Sequence, residues 1–178
     1  MPVLRIALRA DASALARLAE STFRDTFAAV NTAANMDAHC RAHYGAKVQR
    51  REITDAAMLT FVAEHDGGLV GYAQLRFGSA PACVAGDTPG EIQRLYVHRD
   101  WHGRGIAQEL MRASLDALRE RGSDVAWLGV WEHNPRAIAF YRKFGFVEVG
   151  DHVFQVGDDP QRDLVMMRAM ANAKRVDA

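Results

Sequence analysis

The sequence predicts one mixed α/β domain. Three observations predict it. The chain has 178 residues, enough for one domain with a core of its own. Its composition, 49% hydrophobic and 25% charged, is that of an ordinary globular protein. Its periodicities alternate in the order strand, helices, three strands, helix, strand, helix, two strands. The domain is expected to run over residues 1–170, with 171–178 a frayed tail.

The elements follow from local pattern. "VLRIAL" (3–8) alternates weakly and reads as a strand. Residues 11–28 carry apolar side chains at 12, 15, 18, 19, 23 and 27, a helical stripe behind an Asp11 cap. Residues 32–57 suit one or two short helices. Residues 58–77 are two β-rich runs around "HDGG", a hairpin signal. A loop over 79–90 leads to the alternating strand "EIQRLYV" (91–97). Residues 105–122 form an amphipathic helix stopped by Gly122. "VAWLGVW" (125–131) is continuously apolar, as in a strand buried on both faces. In 134–145, Asn134 suits a cap, Pro135 the first helical position and Gly145 the exit. "FVEVGDHVFQV" and "RDLVMMRAM" read as the closing strands, and no repeat or linker interrupts the chain.

Charge and cysteine content exclude several classes. Lys plus Arg equal Asp plus Glu at 22 each, so there is no electrostatic case for nucleic acid or an anionic membrane surface. Cys40 and Cys83 make no disulfide framework, which suits a reducing cytoplasm. The first residues contain arginines within their apolar stretch and so lack a signal-peptide core. No apolar run approaches the ~18 residues that span a bilayer.

"RDWHGRGIAQEL" (99–110) places Gly103 and Gly105 at the start of a helix. A helix N-terminus has free N–H groups and a partial positive charge, and glycine lets an anion approach the backbone. Ile106, Ala107 and Gln108 would donate there. The plain alternative is a strand-to-helix turn. Two nucleotide motifs are excluded. A dinucleotide fingerprint wants a small residue where Gln108 stands, and a Walker A loop wants Gly-Lys-Ser/Thr.

These residues resemble the GNAT superfamily of N-acetyltransferases. "HGRGIA" is similar to the superfamily's R/Q-x-x-G-x-G/A segment, and "NPRAIAFYRKFGF" to its N-x-x-A-x-x-F-Y-x-x-x-G-F helix. The resemblance spans Leu4 to about Met170. It implies a mostly antiparallel central sheet flanked by helices, acetyl-CoA as co-substrate and no metal. It implies that the CoA pyrophosphate is held at His102, Gly103, Arg104, Gly105, Ile106, Ala107 and Gln108, and the pantetheine arm at Leu95, Tyr96 and Val97. His102 departs from the usual Gln or Arg. Asn134 and Ala137 are expected at the pantetheine, although Asn134 is already explained as a cap. Arg104 and Lys143 face either the CoA phosphates or bulk water. The stretches "TFRDTFA…NTAANM", "EIQRLYV" and "WLGVWEHNPRAIAFYRKFGFVEVGDHVF" resemble bacterial PaiA-type polyamine N-acetyltransferases more narrowly.

The reaction implied is attack of an amine on a thioester. At pH 7 an alkylamine of pKa roughly 10.4 lies about 3.4 units, close to 5 kcal/mol, from its neutral form. A base or desolvation must lower that cost, and the leaving thiolate needs a proton donor. Tyr141 matches the superfamily's donor; otherwise it is a core aromatic on the face shared by Ala137, Phe140 and Phe144. Glu91 is the candidate base, expected on one face with Gln93, Leu95 and Val97; otherwise it is a solvated strand-end carboxylate. Glu132 and His152 are lesser candidates. His39 and His43 stand at metal-ligand spacing, but no further ligand pattern lies nearby. The acceptor implied is a small-molecule primary amine such as spermidine, reached past Glu20, Asp25, Asp37, Glu91 and Asp151. The alternatives are a protein N-terminus or lysine as acceptor, or a CoA-binding module without turnover. The superfamily is often dimeric, so a homodimer is admitted.

Overall fold

The structure is a computed structural model and describes residues 1–170. The expected tail at 171–178 lies outside the described residues. The elements are β1 (Val3–Ile6), α1 (Ala12–Phe27), α2 (Ala33–His43), α3 (Ala46–Thr54), β2 (Met58–His65), β3 (Gly68–Phe77), β4 (Pro89–Val97), α4 (Ile106–Glu120), β5 (Val125–Trp131), α5 (Pro135–Lys143), β6 (Val147–Val156) and β7 (Asp159–Ala169). Seven strands form one sheet in the order β1-β2-β3-β4-β5-β7-β6. Every neighbouring pair is antiparallel except β4–β5, which is parallel. The mixed α/β class and the mostly antiparallel sheet are therefore as expected.

Helices cover both faces. On one, Leu15, Ala19 and Phe23 of α1 pack with Met36 and Cys40 of α2 against Val62 and Tyr72. On the other, Ile106 and Leu110 of α4 meet Ala63 and Ala73, while Leu115, Leu118 and Ile138 meet Leu75, Ile92 and Leu128. Each fully buried aliphatic side chain contributes about 1.5–3 kcal/mol, so these stripes fix which way each helix faces.

One local feature differs from expectation, and one expected region takes definite form. Asp11 stands at the N-cap of α1 but makes no side-chain cap bond to it. Its carboxylate instead accepts from Leu8 N at 2.7 Å and from Arg5 at 2.7 and 2.9 Å, because β1 brings a guanidinium within reach. The region 32–57 resolves into two helices, the first capped by Thr32, whose hydroxyl accepts from Asn35 N at 3.2 Å.

A second difference shapes the site. In the β3–β4 ladder, Gln74 faces Arg94 but Leu75 faces Ile92, so Gln93 is an extra, bulged residue. One inserted residue reverses the alternation beyond it. Ile92, Leu95 and Val97 consequently meet the α4 side. Tyr96 joins the α1 side, where Arg94 pairs with Glu52 of α3 at 2.8 Å. Glu91 lies beside Arg76 at 3.7 Å. It does not share a face with Leu95 and Val97, as unbroken alternation predicts.

Candidate active site

The parallel β4–β5 pair is short. It is paired at Pro89↔Val125, Gly90↔Ala126 and Glu91↔Trp127, and beyond these residues the strands diverge. A cleft of about 910 Å³ opens between them. Its walls include Ile92 to Val97 from β4 and Gly129 to Trp131 from β5. The divergence leaves one edge of β4 without a strand partner, so its backbone groups are free to bind an extended ligand.

At one end of the cleft lies the glycine turn. Gly103 and Gly105 have φ of +75° and +84°. A Cβ at either would meet nothing within 4 Å, so conformation rather than crowding calls for glycine. Gly105 caps α4 with no side-chain bond, and the first intrahelical bond runs from Glu109 N to Gly105 O at 3.1 Å. The amides of Ile106, Ala107 and Gln108 therefore have no helical acceptor. Fixed donors and the helix dipole suit this end to an anion.

His102 fastens the turn. Its Nε2 lies 2.8 Å from the Val97 carbonyl and its Nδ1 lies 3.3 Å from Arg136. The carbonyl accepts from Nε2, and Nδ1 is the ring's acceptor toward the guanidinium. His102 thus ties the end of β4 to the start of α5. Arg104 is turned onto the Trp101 ring at 4.7 Å, and Lys143 is exposed at the far end of α5. Neither lines the cleft, whereas Arg136 and Arg99 do.

The helix α5 brings Asn134, Ala137 and Tyr141 to the same cleft. Asn134 Oδ1 accepts from Ala137 N at 3.1 Å, which caps the helix and leaves the amide nitrogen for a ligand. Tyr141 packs edge-on to Phe146 with centroids 6.1 Å apart. Burial, with the Asp163 carboxylate adding to it, pushes the Tyr141 phenol up to about 12, so it is protonated at neutral pH. From the expected set, the cleft collects Leu95, Tyr96, Val97, His102, Ala107, Asn134, Ala137 and Tyr141.

The expected acidic groups are dispersed. Glu91 is half-buried, its Oε2 buried and unpartnered, and desolvation raises its pKa while Arg76 opposes. Arg76 lines the cleft and Glu91 does not. Glu20 and Asp37 share Arg24 at 2.9 and 2.7 Å, and Asp151 pairs with Arg162 at 2.8 Å. Only Asp25 among the five lines the cleft, and Arg99 stands 3.5 Å from it. Glu132 is likewise held by Arg162 at 2.8 Å.

Three features were not read from the sequence. The Arg94–Glu52 pair forms part of the cleft wall below α3. Arg136 braces His102. Asp163, on β7, reaches the cleft with Oδ1 buried and without a hydrogen bond. Burial pushes its carboxyl up to about 7, with Glu132 adding to the rise. Its only sequence signal is a carboxylate opening the apolar run "LVMM".

His39 and His43 have ring centroids 4.4 Å apart. His39 stacks on Phe23 at 4.4 Å and its Nδ1 lies 3.2 Å from the Gln155 carbonyl. Burial pushes it down to about 4, so at pH 7 it is a neutral packing group. Among the described residues no three potential metal-ligating side chains cluster. Nor is any described helix long and apolar enough to cross a membrane.

Comparison with known proteins follows the same lines. Residues 14–146 match the sequence profile described as the acetyltransferase (GNAT) family. The chain is 30% identical over 153 residues to an uncharacterized N-acetyltransferase of Lactobacillus delbrueckii subsp. lactis, covering 86% of this chain and 88% of that one. It is 36% identical over 118 residues to an uncharacterized N-acetyltransferase of Mycobacterium tuberculosis, covering 66% and 71%. The crystal structure of the PaiA N-acetyltransferase of Thermoplasma acidophilum, in complex with coenzyme A, superposes with a TM-score of 0.75 at 20% identity. It covers 95% of this chain and 99% of that one.

Proposed function

This chain belongs to the acetyltransferase (GNAT) family, and we propose that it moves the acetyl group of acetyl-CoA onto a primary amine, spermidine being the first acceptor to test. The observation that carries the reading is the cleft itself. One opening between β4 and β5 runs from an anion-binding helix terminus to a protonated tyrosine.

The residues present fit coenzyme A. The amides at 103–108 and Arg136 offer donors to a pyrophosphate. The unpaired edge at Leu95, Tyr96 and Val97, with the free amide nitrogen of Asn134, offers partners to the pantetheine amides. A thioester laid along that edge comes near the Gln93 bulge. Tyr141 then acts as the acid that protonates the departing thiolate. A backbone N–H at the bulge is the natural donor to the thioester oxygen.

The amine is expected from the α1–α2 side, past Phe27, Trp131 and Phe154. The resemblance to PaiA-type enzymes supports a polyamine. The dispersal of the expected carboxylates onto arginines supports a shorter amine, because the cleft does not gather negative charge along its length. The test is thiol release from acetyl-CoA over spermidine, spermine, a neutral-tailed monoamine, amino acids and peptides, with product mass. Acetylation of a small amine is expected. Acetylation of peptide N-termini alone would move the acceptor class, and CoA binding without turnover on any acceptor would make the protein a binding module.

A further inference from the structure

We propose that Asp163, rather than a carboxylate of β4, is the group that takes the proton from the incoming amine, and that His152 passes it to solvent. The proposal rests on the acetyl-transfer reading and deepens it at the same site.

The geometry carries it. Asp163 stands at the centre of a three-strand ladder, facing Trp131 of β5 on one side and His152 of β6 on the other. Gly129, two residues before Trp131 on β5, leaves the approach open. A Cβ there would come within 3.3 Å of Asp163 Oδ2 and 2.8 Å of His152 Nε2. Any side chain at 129 would therefore close the space above the pair. Asp163 Oδ1 is buried and has no hydrogen-bond partner. An unpaired buried acceptor is costly, so a carboxylate left this way inside a cleft marks a place for an outside donor. An ammonium supplies that donor. Three other carboxylates are worse placed: Glu91 does not line the cleft and lies 3.7 Å from Arg76, Glu52 of α3 is held by Arg94, and Asp25 of α1 faces Arg99.

The charged and titratable groups around Asp163 are few. His152 Nε2 is 4.0 Å from Oδ2, and Glu132 acts on it from the end of β5. Tyr141 of α5 and Tyr96 of β4 feel its charge across the cleft. Neither a lysine nor an arginine is paired with it among the described residues. Desolvation and Glu132 hold its carboxyl at about 7, where a base both exists as the anion and has useful affinity for a proton. His152 is held below its usual pKa by burial, so it is neutral and able to receive. It is partly exposed, which gives the proton a way out.

The step balances. The amine enters as the ammonium and gives one proton to Asp163, which passes it through one bridging water to His152, whose Nε2 stands 4.0 Å from Oδ2, and on to solvent. The nitrogen lone pair forms the N–C bond to the thioester carbonyl carbon, and the C–S bond breaks with its electron pair going to sulfur. Tyr141 protonates that sulfur and recovers a proton from the acylated nitrogen. One ammonium and one thioester give one amide, one thiol and one released proton.

The experiment compares wild type, Asp163→Asn and Glu91→Gln, with spermidine and benzylamine as acceptors over pH 5.5 to 10 (about the range the two pKa values require). Wild type should show kcat/KM rising through an inflection near 7. In Asp163→Asn it should fall about a hundredfold or more at pH 7. The inflection should then move up toward the amine's own pKa, roughly 10. Affinity for CoA by calorimetry should stay unchanged. Glu91→Gln should keep the inflection near 7. A second measurement needs neither acceptor nor variant activity: carbon-13 NMR titration of the aspartate carboxyls in wild type should show one resonance titrating near 7, absent from Asp163→Asn. Loss of the inflection in Glu91→Gln but not in Asp163→Asn would overturn the proposal, as would an ordinary carboxylate titration for Asp163. Failure of wild type to acetylate either amine, with the NMR titration intact, would fall on the acceptor assignment instead.

Discussion

At the scale of single residues, the cleft gives two titratable groups opposite environments, which is what the proposed donor and acceptor roles require. Tyr141 is half-buried against Phe140 and Phe146 and its phenol is pushed up to about 12, while burial pushes the Asp163 carboxyl across from it up to about 7. Tyr141→Phe removes only the hydroxyl, and the ring keeps its neighbours. Turnover is expected to drop about a hundredfold or more with CoA affinity retained, read by steady-state kinetics beside calorimetry. Unchanged turnover would return Tyr141 to a packing role. Tyr141 was legible because its helix carries its own punctuation: Asn134, Pro135 and Gly145 fix the register in which Tyr141 falls. Asp163 was not legible. Its placement depends on strand pairings to Trp131 and His152 that are distant in sequence, and no local pattern encodes them. Lys143 and Arg104 show the converse: their charge suggests phosphate contact, but one is exposed beyond the cleft and the other lies on Trp101.

At the scale of elements, two irregularities build the site. The glycine turn was visible in the sequence because a positive φ at 103 and 105 demands a residue type. The Gln93 bulge was not, because "EIQRLYV" alternates as well without it as with it. Only the partner strand, through Gln74 and Leu75, reveals the extra residue. The turn can be tested apart from its conformational cost. Gly105→Ala adds a Cβ into open space but strains φ, a penalty of roughly 1–2 kcal/mol. Gly105→Glu adds the same strain and a carboxylate at the helix terminus. CoA affinity by calorimetry should be at least about tenfold weaker in the glutamate variant than in the alanine variant, an extra cost of about 1.4 kcal/mol. Equal affinities would remove the pyrophosphate from this turn.

For the whole molecule, the sheet does the assembling. β4 and β5 begin side by side and then part, and the layers on the two faces, α1–α3 and α4–α5, reach the gap from opposite directions. In the proposed reaction the acetyl donor and the acceptor would use these two approaches to one point. The class and order of elements could be read in the sequence because each amphipathic stripe declares a buried face. The shape of the acceptor side could not, because α2 and α3 meet β6 and β4 only in the folded chain. A polycation held by several partly exposed carboxylates should bind more weakly as salt rises. With Glu20, Asp37 and Asp151 already ion-paired, the KM for spermidine is expected to change little between low and physiological salt. A steep rise would show that these pairs reorganise around a polyamine.

The most direct test of the account is to incubate the wild-type protein and Tyr141→Phe with acetyl-CoA and each small amine, and to follow free thiol and amine mass together. Thiol and singly acetylated primary amine are expected to form one for one with wild type, and much more slowly with the variant. Thiol release without acetylated amine, or equal rates from both proteins, would contradict it.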